Sequence, residues 1–273
     1  MSRICAEIDE QVAVLRDRRL DHTTFPYVFV DATYVKARVN HQVVSRAVVI
    51  ATGVTADGNR EVLGVDVGDS EDELFWTAFL RSLRERGLSG TMLVISDAHA
   101  GLRAAIRRVL QGSGWQRCRV HAKRNLLAVA NHSQRQLISA LISTVFAQPD
   151  GEAARAQLRT VCQQLETVAP KVAERLEAME DDLLAYATFP PVHWSKIWSN
   201  NPIERLNREL KRRTDVVQIF PDPESVIRLV GALLVEVNDE LIAAPRRYMA
   251  AVTLEPLLDR PDDQLPSIPA VTN

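Results

Sequence analysis

The hydrophobic positions of the chain first follow a helical period and then, in several short stretches, the two-residue period of strands. The first segment places Ile4, Ile8 and Val12 at helical spacing, which predicts a charged N-terminal helix. Asp57-Gly58 is a strong hairpin signal, so three consecutive antiparallel strands are predicted around it. The predicted strands are 27–34, 43–54, 61–67, 91–96 and 115–120.

Helical patterns separate the later strands and then replace them. Ser70 followed by Glu73 is a capping box, which predicts the start of a helix that ends at Gly87. Asn201 is a natural N-cap and is followed by Pro202 at the first helical position. The remaining predicted helical regions are 101–110, 122–187 and 223–243.

The order of these elements is βββαβαβ followed by helices, which predicts an α/β fold with a mixed sheet. A sheet of this order is the ribonuclease-H-like arrangement, here interrupted by an all-α insertion before the last helix of the core. A doubly wound nucleotide-binding fold would need a Gly-rich first turn, which the sequence lacks. The predicted parts are a core with the N-terminal helix (1–121), an all-α insertion (122–190), a second core segment (191–250) and a disordered tail (251–273).

Composition indicates an ordinary globular protein. Of the 273 residues, 46% are hydrophobic and 25% are charged. No apolar run is long enough to span a membrane, and no signal peptide is visible, so no membrane partner is expected. The cysteines, Cys5, Cys118 and Cys162, cannot build a disulfide framework, so a cytoplasmic location is expected.

The net charge of −2 hides a strong segregation of charge along the chain. Between Ala98 and Pro149 there is no acidic residue but there are eight Lys and Arg residues, and 196–213 is a second basic stretch. Acidic stretches at 57–73 and after Arg213 offset them. One basic face on a near-neutral molecule is typical of a phosphate-backbone partner, although solvated helix faces explain such runs equally well.

Three carboxylates stand where a sheet of this kind would place a site. Asp31 lies inside an apolar strand, where Asp is rare, and Asp97 directly follows a buried strand. Glu204 lies in the first turn of a predicted helix and shares a face with Asn207 and cations such as Lys211. The predicted packing side of that helix carries Ile203, Leu206 and Leu210. Each has a structural alternative: a solvent-facing strand end for Asp31, a helix N-cap for Asp97 and a capping box for Glu204.

Converging carboxylates repel one another unless a divalent cation lies between them. Oxygen ligands suit Mg²⁺ and Mn²⁺, and two such ions would serve an in-line displacement at phosphorus. The three carboxylates together therefore favour a two-metal phosphoryl-transfer site.

Four spaced motifs, in order between Ser2 and Met249, resemble the mutator-type (IS256-like) bacterial transposases. The motifs are Val30-Asp31-Ala-Thr-Tyr34, Ile95-Ser-Asp97-Ala-His99, Trp115-Gln-Arg-Cys118-Arg-Val-His121 and Trp198-Ser-Asn-Asn-Pro-Ile-Glu204-Arg-Leu-Asn207. The resemblance implies a ribonuclease-H-like core with a helical insertion and a DDE triad of Asp31, Asp97 and Glu204. Typical members carry a long helical region before this core that recognises the terminal repeats, and the chain is expected to lack it.

The resemblance implies a DNA transposase, which hydrolyses a phosphodiester at the transposon end and joins the freed 3′-OH to target DNA. Mg²⁺ or Mn²⁺ would be the cofactor, and a homodimer or larger assembly on DNA is expected. Two alternatives stay open: a truncated, non-catalytic copy that binds DNA or transposase and inhibits transposition, and a ribonuclease-H-like nuclease of another role.

Several other residues are candidates for supporting roles. Cys118-x-x-His121 supplies only two ligands, which disfavours structural zinc, so a supporting or DNA-positioning role is expected, with a packed cysteine as the alternative. His99 either points into the site or caps its helix. Trp198, like Trp194, either stacks on an unpaired base or packs in the core. Asn207 is a further supporting candidate. The candidate phosphate contacts are Lys123, Arg124, Arg205, Arg208, Lys211 and Arg212.

Overall fold

The computed structural model describes residues 3–258, which form the following elements. The strands are β1 (Tyr27–Val39), β2 (Gln42–Val54), β3 (Arg60–Gly68), β4 (Leu93–Ser96), β5 (Gly114–Arg117) and β6 (Ile219–Phe220). The helices up to residue 168 are α1 (Arg3–Asp17), α2 (Glu73–Glu85), α3 (Ala100–Val109), α4 (Arg119–Ala128), α5 (Arg135–Val145) and α6 (Gly151–Val168). The later helices are α7 (Pro170–Glu177), α8 (Glu180–Leu183), α9 (Pro191–Ile197), α10 (Asn201–Val217), α11 (Pro223–Ile242) and α12 (Ala251–Leu258), and short 3₁₀ turns span His132–Gln134 and Ala185–Thr188.

The strands form one mixed sheet in the order β3-β2-β1-β4-β5, with β6 paired to β1. The pairings β1–β2 and β2–β3 are antiparallel, as the sequence predicts, whereas β6 runs parallel to β1. The mixed α/β class is thus confirmed, and the ribonuclease-H-like assignment stays a prediction. The strand β6 is absent from the predicted elements because two residues are too short to show a strand period.

Turns and caps show where local sequence signals hold and where they fail. The predicted hairpin is confirmed: Gly58 adopts a φ of 87° in the turn between β2 and β3. The predicted capping box is wrong, because Asp72 rather than Ser70 caps α2, accepting a hydrogen bond from the Phe75 amide. Ser70 instead donates its hydroxyl hydrogen to Asp72.

Compactness divides the chain into two units, with the division falling inside β4. Among the described residues, the first unit comprises 3–94, 99–113 and 201–258, and the second comprises 95–98 and 114–200. The predicted boundaries of the all-α insertion, at residues 121 and 190, stay a prediction. The prediction of a disordered tail over 251–273 is wrong for 251–258, which form α12 with Leu254 and Leu257 buried. Residues 259–273 lie outside the described residues.

In the first unit, helices cover apolar strands. Tyr27, Val28, Phe29 and Val30 of β1 are fully buried, and α11 packs against β3 and β1. The buried Asn238 of α11 accepts the backbone N–H of the β3 residue Val62 at 3.0 Å. The helix α10 also packs against β1, so α10 and α11 share this strand.

In the second unit, α4 to α8 and the two 3₁₀ turns confirm the helical-only pattern predicted for 122–187. The fully buried Gln116 of β5 links the strand to the helices, since its side chain donates to the Leu183 carbonyl and accepts from the Tyr186 amide. Strand β5 ends earlier than predicted, because α4 begins at Arg119. Among residues 3–258, no helix has the length and apolarity needed to cross a bilayer.

Candidate functional site

Asp31 lies in β1 with its carboxylate held on both oxygens. The strand carries Asp31 opposite Ile50 of β2, and the side chain is half-buried. Its Oδ1 accepts the backbone N–H of Ala32 at 3.0 Å, and its Oδ2 accepts the side-chain amide of Asn207 at 2.6 Å. The latter bond joins the strand to α10 through two residues that are 176 positions apart in the sequence.

The helix α10 turns one polar face toward β1. Ile203, Leu206 and Leu210 are buried, as the predicted packing side requires. Asn207 is only 8% exposed, and Glu204, three residues earlier on the same side of the helix, is half-buried. Glu204 and Asn207 share one face of α10, and Asn207 contacts Asp31. That face of α10 is therefore the one that meets β1.

A buried amide oxygen lies next to this pair of elements. Asn207 donates through Nδ2 to Asp31, while its Oδ1 is buried and accepts no hydrogen bond from any residue that the structure describes. Amide and carboxylate oxygens are both hard ligands. The Asp31 carboxylate and the Asn207 amide oxygen thus bring hard oxygen donors together in the first unit.

The cations of α10 face solvent. The candidate phosphate contacts on this helix are all exposed: Arg205, Arg208, Lys211 and Arg212. The guanidinium of Arg212 is paired with Glu209 at 2.9 Å, whereas the ammonium group of Lys211 forms no ion pair within residues 3–258. An unpaired exposed cation loses no partner when it meets a phosphate, so Lys211 is better placed than Arg212 for that contact.

Asp97 follows β4 and belongs to the second unit. It does not cap α3; instead His99 is the N-cap, and its Nδ1 accepts the Leu102 amide at 3.3 Å. Of the two alternatives for His99, the structure thus shows the helix cap. The carboxylate of Asp97 contacts the ring of His121 through Oδ1 and Nδ1, and the hydrogen bond to Asp97, reinforced by one to Cys118, raises the pKa of His121 to about 10.

Asp97, Cys118 and His121 form a compact cluster. One ligand atom from each residue lies within 4.8 Å of the others. Cys118 is fully buried directly before α4, and its backbone N–H donates to the Ser96 carbonyl at 2.8 Å. Its Sγ accepts the backbone N–H of Asn200 at 3.3 Å. Cys118 is thus packed, as one interpretation predicted. It also contacts His121, the residue that pairs with Asp97.

Trp198 lies in an aromatic cluster with a cation on its face. The Arg119 guanidinium lies 3.7 Å from the centroid of the Trp198 ring, and its backbone N–H donates to the Trp198 carbonyl. Tyr186 and Phe146 contact Trp198 edge-on, and Trp198 is half-buried while Trp194 is buried. Arg119 is missing from the predicted supporting residues, although it lies inside the motif around Cys118 and His121.

The cations of α4 differ in their partners. Lys123 is half-buried and donates to the Ser143 hydroxyl at 2.9 Å, and Arg124 is exposed. The predicted site residues are therefore distributed as follows. Asp31, Glu204, Asn207, His99 and the α10 cations belong to the first unit, and Asp97, Cys118, His121, Trp198, Lys123 and Arg124 belong to the second.

The structure brings Asp31 to Asn207 within one unit, and Asp97 to Cys118 and His121 within the other. The joint coordination of metal ions by all three predicted carboxylates stays a prediction. The relatives of the chain bear on its interpretation.

Residues 1–244 match the family described as "Transposase, Mutator family". The chain is 47% identical over 254 residues to the transposase for insertion sequence element IS1081 of Mycobacterium tuberculosis, an alignment covering 93% of this chain and 61% of the relative. It is 42% identical to the IS406 transposase of Burkholderia multivorans (88% and 62% covered) and 35% identical to the IS256 transposase in transposon Tn4001 of Staphylococcus aureus (91% and 64%). The chain thus spans about three fifths of the length of these relatives. With most of its length matched, the chain belongs to the Mutator family of transposases.

Proposed function

We propose that the chain carries the catalytic chemistry of DNA transposition: hydrolysis of a phosphodiester at a transposon end and transfer of the freed 3′-OH to target DNA. The relatives are named as transposases for insertion sequence elements. The observation that carries the proposal is the 2.6 Å bond from Asn207 to Asp31. It holds a strand carboxylate against the helix face from which Glu204 projects, which is the arrangement that a carboxylate site for metals needs.

Asp31, Asp97 and Glu204 are the proposed ligands of divalent ions, Mg²⁺ or Mn²⁺. The oxygen donors around Asp31, including the buried Asn207 Oδ1, fit a hard cation. When bound, two such ions supply activation of the attacking oxygen and stabilisation of the leaving oxygen. The proposal requires all three carboxylates to share the ions, and the family resemblance supports that requirement.

The remaining residues position the carboxylates and the DNA. The amide of Asn207 orients Asp31, and the ring of His121 orients Asp97. The exposed cations of α10, with Lys123 and Arg124 of α4, bind phosphates and set the register of the DNA backbone. A ribonuclease-H-like core and a dimer or larger assembly on DNA belong to the same proposal, because two transposon ends need two active sites.

A strand-transfer assay tests the proposal. The purified chain is incubated with a pre-nicked duplex made from the DNA that flanks its gene, a supercoiled target plasmid and Mg²⁺ or Mn²⁺. Joined product is expected with the wild-type chain and is expected to disappear in Asp31→Asn, Asp97→Asn and Glu204→Gln. Asp215→Asn is the matched control, since Asp215 is an exposed acid on the same helix as Glu204.

The outcomes separate the candidate functions. Joining that survives Asp97→Asn contradicts the proposed triad. Cleavage without joining supports a nuclease of another role. Bound DNA with neither reaction, from a chain whose circular dichroism shows it folded, supports a non-catalytic inhibitor.

A further inference from the structure

The second unit brings together three side chains that offer different donor atoms. Asp97 offers a carboxylate oxygen, Cys118 a sulfur and His121 a ring nitrogen, and these atoms lie within 4.8 Å of one another. They come from the end of β4, the residue before α4 and the first turn of α4. Within residues 3–258, no other group of three His, Cys, Asp or Glu residues meets this distance.

The kinds of donor decide which metal the cluster suits. Thiolate and imidazole ligands favour Zn²⁺ and related transition metals, whereas Mg²⁺ prefers oxygen ligands and keeps several waters. The oxygen donors around Asp31 and the mixed donors around Asp97 therefore differ in metal preference.

We propose that Asp97, Cys118 and His121 form a binding site for a divalent transition-metal ion of the Zn²⁺ or Co²⁺ class. Three protein ligands leave the fourth tetrahedral position open to water or another oxygen donor. The site goes beyond the proposed function, because it requires neither DNA nor Asp31 or Glu204.

The surroundings of Cys118 support a bound thiolate. The backbone N–H of Asn200 donates to Sγ at 3.3 Å, and the backbone N–H of Cys118 donates to the Ser96 carbonyl. These contacts fix the sulfur in one place, as outer partners do at metal sites.

Access to the cluster comes from the side of the other two ligands. Cys118 is fully buried, but the side chains of His121 and Asp97 are 18% and 40% exposed. The facing atoms, Asp97 Oδ1 and His121 Nδ1, are buried, so an ion enters when these two partly exposed side chains separate. The competing interpretation is an ion pair of His121 and Asp97 that binds no metal, in which the sulfur has no ligand role.

Cobalt spectroscopy separates the two interpretations. The full chain is stripped with a chelator and titrated with Co²⁺ at neutral pH, without DNA. The proposal expects intense tetrahedral ligand-field bands and a near-ultraviolet thiolate-to-cobalt charge-transfer band, both removed by added Zn²⁺. A weak octahedral spectrum, or no binding by the folded wild-type chain, overturns the proposal.

Variants then identify the ligands. Cys118→Ser is expected to lose the charge-transfer band, and His121→Ala is expected to weaken Zn²⁺ binding by more than the roughly 10–100-fold that loss of an outer partner costs. Cys162→Ser is the matched control, because Cys162 is a buried cysteine of the same unit outside the cluster, and it is expected to keep the band.

A band that survives Cys118→Ser, or that Cys162→Ser removes, overturns the assignment. If Cys118→Ser does not fold, as judged by circular dichroism, the wild-type spectrum and His121→Ala still decide. Because no step uses DNA, a failed strand-transfer assay leaves this result unaffected, and absence of the cobalt site leaves the proposed transposition chemistry standing.

Discussion

Asp31 and Asp97 are aspartates at neighbouring strands of one sheet, but their carboxylates have different partners. Asp31 accepts hydrogen bonds from a neutral backbone amide and a neutral side-chain amide. Asp97 contacts the ring of His121, whose pKa this contact raises to about 10, so at neutral pH the ring is a cation. These two hydrogen-bond donors of Asp31 are neutral, whereas the ring that contacts Asp97 is a cation that offsets its charge.

The partners of an aspartate decide how readily its carboxylate can bind a metal ion. A carboxylate held by amides keeps its charge available for a metal ion while its orientation is fixed. A carboxylate held by an imidazolium must exchange that partner for a metal, or share the metal with the imidazole once the proton has left. We therefore expect the two aspartates to respond differently when their partners are changed.

The largest effect is expected from removing a carboxylate rather than its partner. Asp31→Asn is expected to lower the Mg²⁺-dependent strand-transfer rate by more than about 10³-fold, because it removes a ligand of ions that supply several kcal/mol. Asn207→Ala keeps the carboxylate and is expected to cost only about 10–100-fold. The rates are measured with the pre-nicked duplex, and equal losses in the two variants would contradict the positioning role of Asn207.

A second change places a carboxylate beside Asp31. Asn207→Asp replaces a buried donor with an acid facing Asp31, and we expect it to lower the free energy of unfolding at pH 7 by about 2–3 kcal/mol. Mg²⁺ is expected to restore part of this loss, because the ion binds the folded arrangement of carboxylates. Urea unfolding with and without Mg²⁺ provides the measurement.

Asn238→Asp is the matched control for this variant. Asn238 is a buried asparagine of the same unit, but its side-chain oxygen accepts a backbone N–H, a role that a carboxylate can keep. A much smaller loss is expected, with no response to Mg²⁺. Equal losses in both variants would show that repulsion with Asp31 is not the cause.

The sequence predicts the strands better than it predicts the partners of the two aspartates. Local signals suffice for β1 to β5, the hairpin at Gly58 and the packing side of α10, because each depends on residues a few positions apart. The Asn207–Asp31 bond joins residues 176 positions apart, which no local period reports. The family motifs single out both residues without indicating that they touch.

The cluster around Asp97 shows the same limit. Spacing identifies Cys118 and His121 as two ligands and disfavours zinc because a third is missing. The fold supplies the third ligand from the end of β4, in a separate part of the sequence. Likewise β6 forms only because α10 returns the chain to β1, and its two residues carry no pattern of their own.

The pH dependence of the free energy of unfolding tests the contact between Asp97 and His121. The folded pKa of His121, about 10, lies above the ordinary value of 6.5, so its stabilising contribution is complete below about pH 6.5 and is lost as pH rises toward 10. After discounting for the 40% exposure of Asp97, we expect a loss of about 2 kcal/mol in chelator. Thermal unfolding between pH 6 and pH 10 measures it, and His121→Gln is expected to abolish the loss.

His193 is the control, because its pKa is shifted in the opposite direction to that of His121. Burial lowers the pKa of His193, so its neutral form is favoured and its contribution declines only as pH falls below about 6.5. His193→Gln is therefore expected to leave the loss between pH 7 and pH 10 intact. If His121→Gln kept the alkaline loss, the contact with Asp97 would not be its cause.

The smallest effect is expected on the salt dependence of DNA binding, when one lysine of each unit is replaced. Lys211 on α10 is exposed and forms no ion pair within residues 3–258, whereas Lys123 on α4 donates to Ser143. If both helices meet DNA, Lys211→Gln is expected to reduce the slope of log K against log salt by about 0.9, the value for one phosphate contact on duplex DNA. Lys123→Gln is expected to change the slope less, because a lysine held by a hydroxyl must leave that partner to reach a phosphate. Fluorescence anisotropy with a labelled duplex at several salt concentrations gives both slopes, and a larger change for Lys123→Gln would place the main DNA contact on the second unit.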